Sequence, residues 1–129
     1  MQRINEAFYR YLTDRMPEGV EVFPQVADES ARYPFGVIRM DAFEVSKAKA
    51  CAAKSYLFTY TVSLWGNTFN QVDRIATHLM ARVGISDEIR FDGPAGRLRV
   101  ALSRGESDVG EEGFAQHLTF ELKYDGDVA

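Results

Sequence analysis

Serine, histidine and cysteine are the side chains here that could carry nucleophilic or metal chemistry, and their spacing decides what they can do. The two histidines, His78 and His117, fall on the polar sides of separate amphipathic stretches. Neither has a thiolate or carboxylate at ligand spacing beside it. Ser103 and Ser107 have acidic neighbours but no histidine in local register. A hydroxyl becomes a nucleophile only with a base in hydrogen-bond reach, so any triad would have to be assembled by the fold. The single cysteine, Cys51, has no histidine or carboxylate nearby to activate it. The phosphate-loop pattern GxxxxGK[ST], the dinucleotide pattern GxGxxG and CxxC do not occur. The expectation is a non-enzymatic chain with no catalytic residue, no cofactor and no metal.

The elements that would position any functional group are clearest from Lys54 to Gly84. Tyr56, Phe58, Tyr60, Val62 and Leu64 alternate with Leu57, Thr59, Thr61, Ser63 and Trp65. A period of two over that length is a long strand with one oily face. Gly66-Asn67-Thr68 breaks the pattern. Phe69, Val72, Ile75, Ala76, Leu79, Met80 and Val83 then recur at helical spacing, and Gly84 stops them. Thr68 to Gln71 reads as a capping box: Thr68 Oγ accepts the Gln71 N–H, and the Gln71 side chain reaches back to Thr68. The cap is worth about 1 kcal/mol.

At 129 residues and 46% hydrophobic content the chain makes one domain, residues 1–129, with a sizeable core. The net charge of −4, with both signs interspersed, argues against a dedicated nucleic-acid binder. One cysteine permits no internal disulfide and fits a reducing cytoplasm. Arg3, Glu6 and Arg10 interrupt any secretory apolar run, and no segment approaches membrane-spanning length without charges.

Ile4, Ala7, Phe8, Tyr11 and Leu12 share one helical face, which places a first helix from Gln2 to about Arg15. Tyr9 points away from that stripe, either as a half-exposed tyrosine or as a subunit contact. Val20 and Val22 form a short strand that Phe23-Pro24 ends or marks as an edge. Tyr33-Pro34-Phe35 opens a long strand to about Val45. Ser46 to Lys54 reads as the tip of a long hairpin carrying Lys47, Lys49 and Lys54. It is a solvated loop or a basic finger for an acidic partner, and is expected to be mobile in the free chain. Ile89 and Phe91 suggest a short strand, 92–96 a turn, and Leu98, Val100 and Leu102 another strand. Gly105 to Gly113 reads as an acidic loop. The last strand runs from about Phe114 to Tyr124, with Leu118, Phe120, Leu122 and Tyr124 inward.

These patterns predict an α+β fold: two layers, a mostly antiparallel sheet and two main helices packed on one face. The inside set is Phe8, Leu12, Phe58, Tyr60, Val62, Ile75, Leu79, Leu98, Val100 and Phe120. The opposite face would hold Leu57, Thr59, Thr61, Ser63 and Trp65, with Arg97, Arg99 and Thr119. It is either an ordinary solvated face or a surface that packs against another subunit.

The order of helix, short strand, Tyr-Pro-Phe-Gly-Val-Ile strand, long hairpin, Tyr-Thr-Val-Ser-Leu-Trp strand, helix and late strands resembles the tail-terminator and tail-completion proteins of long-tailed bacteriophages. These include the minor tail protein U group of lambda-like phages. The resemblance runs from Ile4 to Tyr124, best over Phe23 to Met40 and Phe58 to Val83. The lysine-rich hairpin tip departs from it. It implies a virion protein, made in the host cytoplasm, that assembles into a ring, typically a hexamer. The ring caps the finished tail tube and offers a surface for head joining. Its partners would be its own copies, the major tail-tube protein and a head-completion or connector protein, with no membrane and no sequence-specific nucleic acid. Tyr9, Lys47, Lys49, Lys54, Trp65, Arg97 and Arg99 are the candidate assembly residues. Another neck or connector subunit, or a small peptide- or nucleic-acid-binding module, are the alternatives.

Overall fold

The computed structural model describes residues 2–47, 54–84, 87–89, 97–110 and 113–125. Within them the chain runs α1 (Gln2–Arg15), β1 (Glu21–Pro24), β2 (Phe35–Lys47), β3 (Lys54–Gly66), α2 (Phe69–Arg82), β4 (Asp87–Ile89), β5 (Arg97–Gly110) and β6 (Gly113–Asp125). The strands form one curled sheet in the order β1-β2-β3-β6-β5-β4. The sheet is mixed: β1 pairs with β2 in parallel, while the other four pairings are antiparallel. The crossover through the loop before Phe35 makes that first pairing parallel, which hydrophobic alternation does not encode.

All ten expected inside residues are buried. Phe8 is the centre of the contact between α1 and the sheet, with its ring 4.6 Å from Tyr60 and 5.3 Å from Phe120. These tilted and edge-on contacts suit aromatic quadrupoles. Val72 of α2 packs against Gly66 so closely that a Cβ there would lie 2.7 Å from its methyl. Asp73 accepts a long hydrogen bond from Gln116 at 3.5 Å.

Several local expectations change. The Thr68 cap forms, with Gln71 N–H donating to its hydroxyl at 3.1 Å. The Gln71 side chain instead accepts the Asn67 N–H at 2.7 Å, one residue earlier than a reciprocal box requires. Val83, in extended geometry, is the C-cap, so Gly84 lies beyond the stop. Its N–H donates to Asp87 Oδ2 at 2.9 Å, and a Cβ there would collide with that carboxylate. Phe69 and Met80 are half exposed, because the sheet covers only the Val72, Ile75, Ala76 and Leu79 stripe.

The larger correction concerns Gly105 to Gly113. It is not a loop up to Gly110: β5 continues to Gly110 and pairs with β6 down to Gly110↔Gly113. Glycine, serine and aspartate are poor strand formers, but ladder bonding to β6 overrides a propensity worth ~1 kcal/mol. At the other hairpin, Ser46, Lys47 and Lys54 also lie in the ladder, which runs to Lys47↔Lys54. The rest of the expected mobile tip, including Lys49 and Cys51, lies outside the described residues, as do Phe91 and the turn at 92–96.

β2 and β5 each carry a bulge, at Asp41 and at Ser103. One extra residue reverses which side chains face which side. Ile38 and Met40 lie opposite Val62 and Tyr60 on the core face; past the bulge, Phe43 and Val45 take that face opposite Phe58 and Tyr56. In β5 the core side passes from Leu98, Val100 and Leu102 to Gly105, Ser107 and Val109.

Two predictions follow from this packing. Phe58→Ala is expected to cost about 3–5 kcal/mol in denaturant unfolding, because the ring is fully buried; a loss under ~1 kcal/mol would contradict that role. The second concerns pH. The Tyr11 hydroxyl, the Gly84 N–H and then Arg15, 4.0 Å away, hold the Asp87 carboxyl below its ordinary range. A lowered folded-state pKa contributes stability above the unfolded value of about 3.9 and loses it as pH falls through the folded value. Burial pushes the Tyr11 and Tyr60 phenols up, with the Asp87 hydrogen bond adding to the effect on Tyr11. Their contribution is present below about pH 10 and lost as pH rises beyond it. Urea unfolding across pH should therefore show an acid limb flattened by Asp87→Asn and an alkaline limb reduced by Tyr60→Phe. Limbs unchanged by both variants would refute the assignment.

Candidate functional site

The sheet face turned away from Phe8 is built by alternate residues of β2, β3, β6 and β5. Leu57, Thr59, Thr61, Ser63 and Trp65 line β3 on this side, all partly exposed. Their neighbours on β6 are Lys123, Glu121, Thr119, His117 and Ala115 in register.

One end of the face is aromatic. Phe35 lies opposite Trp65. Tyr33 stacks on Phe35 at 5.5 Å with the rings nearly parallel, and Phe23 meets Phe35 edge-on at 6.0 Å. His117 presents its ring edge-on to Trp65 at 6.0 Å. The middle is polar. Asp41, the bulge residue, accepts hydrogen bonds from Arg39 Nε at 3.0 Å and from the Thr61 hydroxyl. The bulge turns its carboxylate toward Arg39 on its own strand and Thr61 on β3.

Next to Trp65 the register assembles a serine, a histidine and an aspartate. Ser63 Oγ is 2.7 Å from His117 Nδ1, and Asp108 Oδ2 is 3.8 Å from His117 Nε2. A hydroxyl–imidazole–carboxylate series can pass a proton in principle. Acyl transfer also needs N–H donors aimed at the developing oxyanion. Ser63 sits mid-ladder between Val37 and His117 on two flanking strands, so the backbone donors around it are committed to the sheet. Of the three groups, His117 is the one in contact with Trp65. Ser103 and Ser107, the serines with acidic neighbours in sequence, are not the ones that meet a histidine here. Ser103 is the β5 bulge, and its hydroxyl donates to the Thr119 carbonyl at 3.1 Å.

The candidate assembly residues do not form one cluster. Trp65 stands at the aromatic end. Arg99 is exposed at the opposite end, between Lys123 and Glu88. That separation is eight residues of strand, Leu57 to Trp65, or about 26 Å. The backbones of Lys47, Lys54 and Arg97 also belong to the Arg99 end. The side chains of Lys47 and Arg97, and all of Lys49, lie outside the described residues. Tyr9 is elsewhere, on α1. It is 37% exposed, and its hydroxyl donates to the Val22 carbonyl at 3.1 Å, tying α1 to β1. With Asn5, Arg10, Thr13, Asp14 and Pro24 it lines a shallow groove.

No model of a known protein family matches this chain, and no curated protein matches it.

The basic end can be tested on its own. Arg99→Glu and Lys54→Glu alter exposed side chains and should leave unfolding within about 0.5 kcal/mol of wild type. If the basic end contacts an acidic partner, each should weaken assembly and flatten its salt dependence. Unchanged assembly in both would remove this end from the interface.

Proposed function

We propose that this protein is a structural subunit that caps the end of a phage tail tube as a ring, typically a hexamer, stopping polymerisation and presenting a surface for head attachment. The observation that carries the reading is the element order. The stretches resembling tail terminators, Phe23 to Met40 and Phe58 to Val83, fall on β1–β2 and on the β3–α2 unit. The two-layer arrangement implied by the resemblance belongs to the same proposal. It is supported by Phe8 against Tyr60 and Phe120, and by Val72 against Gly66, all on one side of the sheet. Its partners are then its own copies, the major tail-tube protein and a head-completion protein. A ring requires a heterologous interface, because one patch of each subunit meets a different patch of the next. Weak single contacts suffice, since closure on a tube end supplies effective concentration.

The test is deletion of the gene from its phage, followed by electron microscopy of the lysate. Overlong or headless tails are the expected result. Normal-length tails joined to filled heads would show that the protein does something else.

A further inference from the structure

Each long outer strand is covered along only part of its length. β1 pairs with β2 from Phe35 to Ile38, and β4 pairs with β5 from Leu98 to Val100. Past each of these stretches comes a bulge, Asp41 in β2 and Ser103 in β5. Beyond the bulges, no strand among the described residues pairs with the outer side of Ala42–Lys47 or Arg104–Gly110. The described side chains of both stretches are exposed. They include Phe43, Val45 and Val109, which are 49%, 51% and 69% exposed on the core-side face. A bare strand edge with apolar side chains invites another strand. The β1 edge is guarded: its Val22 carbonyl is taken by Tyr9, and Pro24 offers no N–H.

We infer that the bare edge of β2 in one copy pairs with the bare edge of β5 in the next, joining copies head to tail into a continuous sheet. This rests on the ring reading and adds the surfaces that close it. β2 and β5 run in opposite directions through the sheet, so copies set side by side present them antiparallel. One register then satisfies both faces. On the core side Phe43 lies opposite Gly105, where a Leu118 methyl sits 3.1 Å from the position a Cβ would take, so the Phe43 ring would meet Leu118 across the joint. On the outer side Glu44 lies opposite Arg104, which already pairs with Glu106 on its own strand, so the joint sets the guanidinium between two carboxylates. The two stretches lie at opposite ends of the sheet, so neighbours are offset along their strands. Strands tilted to a ring axis, as in closed barrels, supply such an offset. The same offset keeps β1 of one copy clear of β4 of the next. The joint is heterologous, as a ring demands.

The full chain tests this by sedimentation velocity over a concentration series, alone and as Glu44→Arg, Arg104→Glu and the doubly swapped chain. Wild type should self-associate. Each single swap puts like charges across every joint and should weaken association about three- to tenfold. The double swap, and an equal mixture of the two single variants, should restore it. A wild-type chain monomeric to its solubility limit overturns the joint. So does an Arg104→Glu chain that associates like wild type, which would place self-pairing on β2 alone. The tail reading fails separately. Phage carrying Arg104→Glu that still caps tails normally would sink the joint alone, whereas unaltered tails on gene deletion would sink the tail reading and leave the association results standing.

Discussion

The fold depends on β3 holding one fully apolar face in the middle of the sheet. Phe58, Tyr60, Val62 and Leu64 are all buried, and β2 and β6 pair along the length of the strand on either side. Phe8 closes over Tyr60 and Phe120, which anchors α1, and Val72 closes over Gly66, which anchors α2. Such interlocking leaves little room for rearrangement, because interiors at crystal-like density register even one methylene. The outer face is then free to differ in chemistry without cost to the core.

The two bulges connect this core to the proposed assembly. Without the extra residue at Asp41, Phe43 and Val45 would point to the outer face; without Ser103, Val109 would do the same. With both bulges the apolar side of the sheet extends past the helices to edges that lack a described neighbour. Curvature comes from the same feature, since a bulge bends its strand and increases local twist. A curled sheet with complementary bare edges at opposite ends of its two long outer strands is suited to closing with its own copies. Asp41 also has a local role, joining Arg39 and Thr61 on the outer face.

Much of the core was legible because its periods are strong. The alternation from Tyr56 to Trp65 and the helical spacing from Val72 to Leu79 each have a single interpretation over their length. The stretch after Leu102 was not legible: Gly105, Glu106, Ser107 and Asp108 read as a loop by local preference, and only pairing with β6 makes them strand. The bulge in β2 did leave a trace, since the apolar positions step from Ile38 and Met40 to Phe43 and Val45. That trace means a bulge only once the partner strand is known. The cluster of Ser63, His117 and Asp108 comes from three strands whose register no local pattern states. For the same reason Trp65 and Arg99 were grouped on one face correctly, yet stand at its two ends.

Hydrogen exchange of the backbone amides tests the central claim, that copies join edge to edge, most directly. The dilute chain and the concentrated or tube-bound assembly would be compared residue by residue. Ala42–Ser46 and Arg104–Asp108 are expected to gain protection together, while the Tyr9 groove and the middle of the outer face change little. Protection gained on only one of the two edges, or on neither while the chain is assembled, would contradict it.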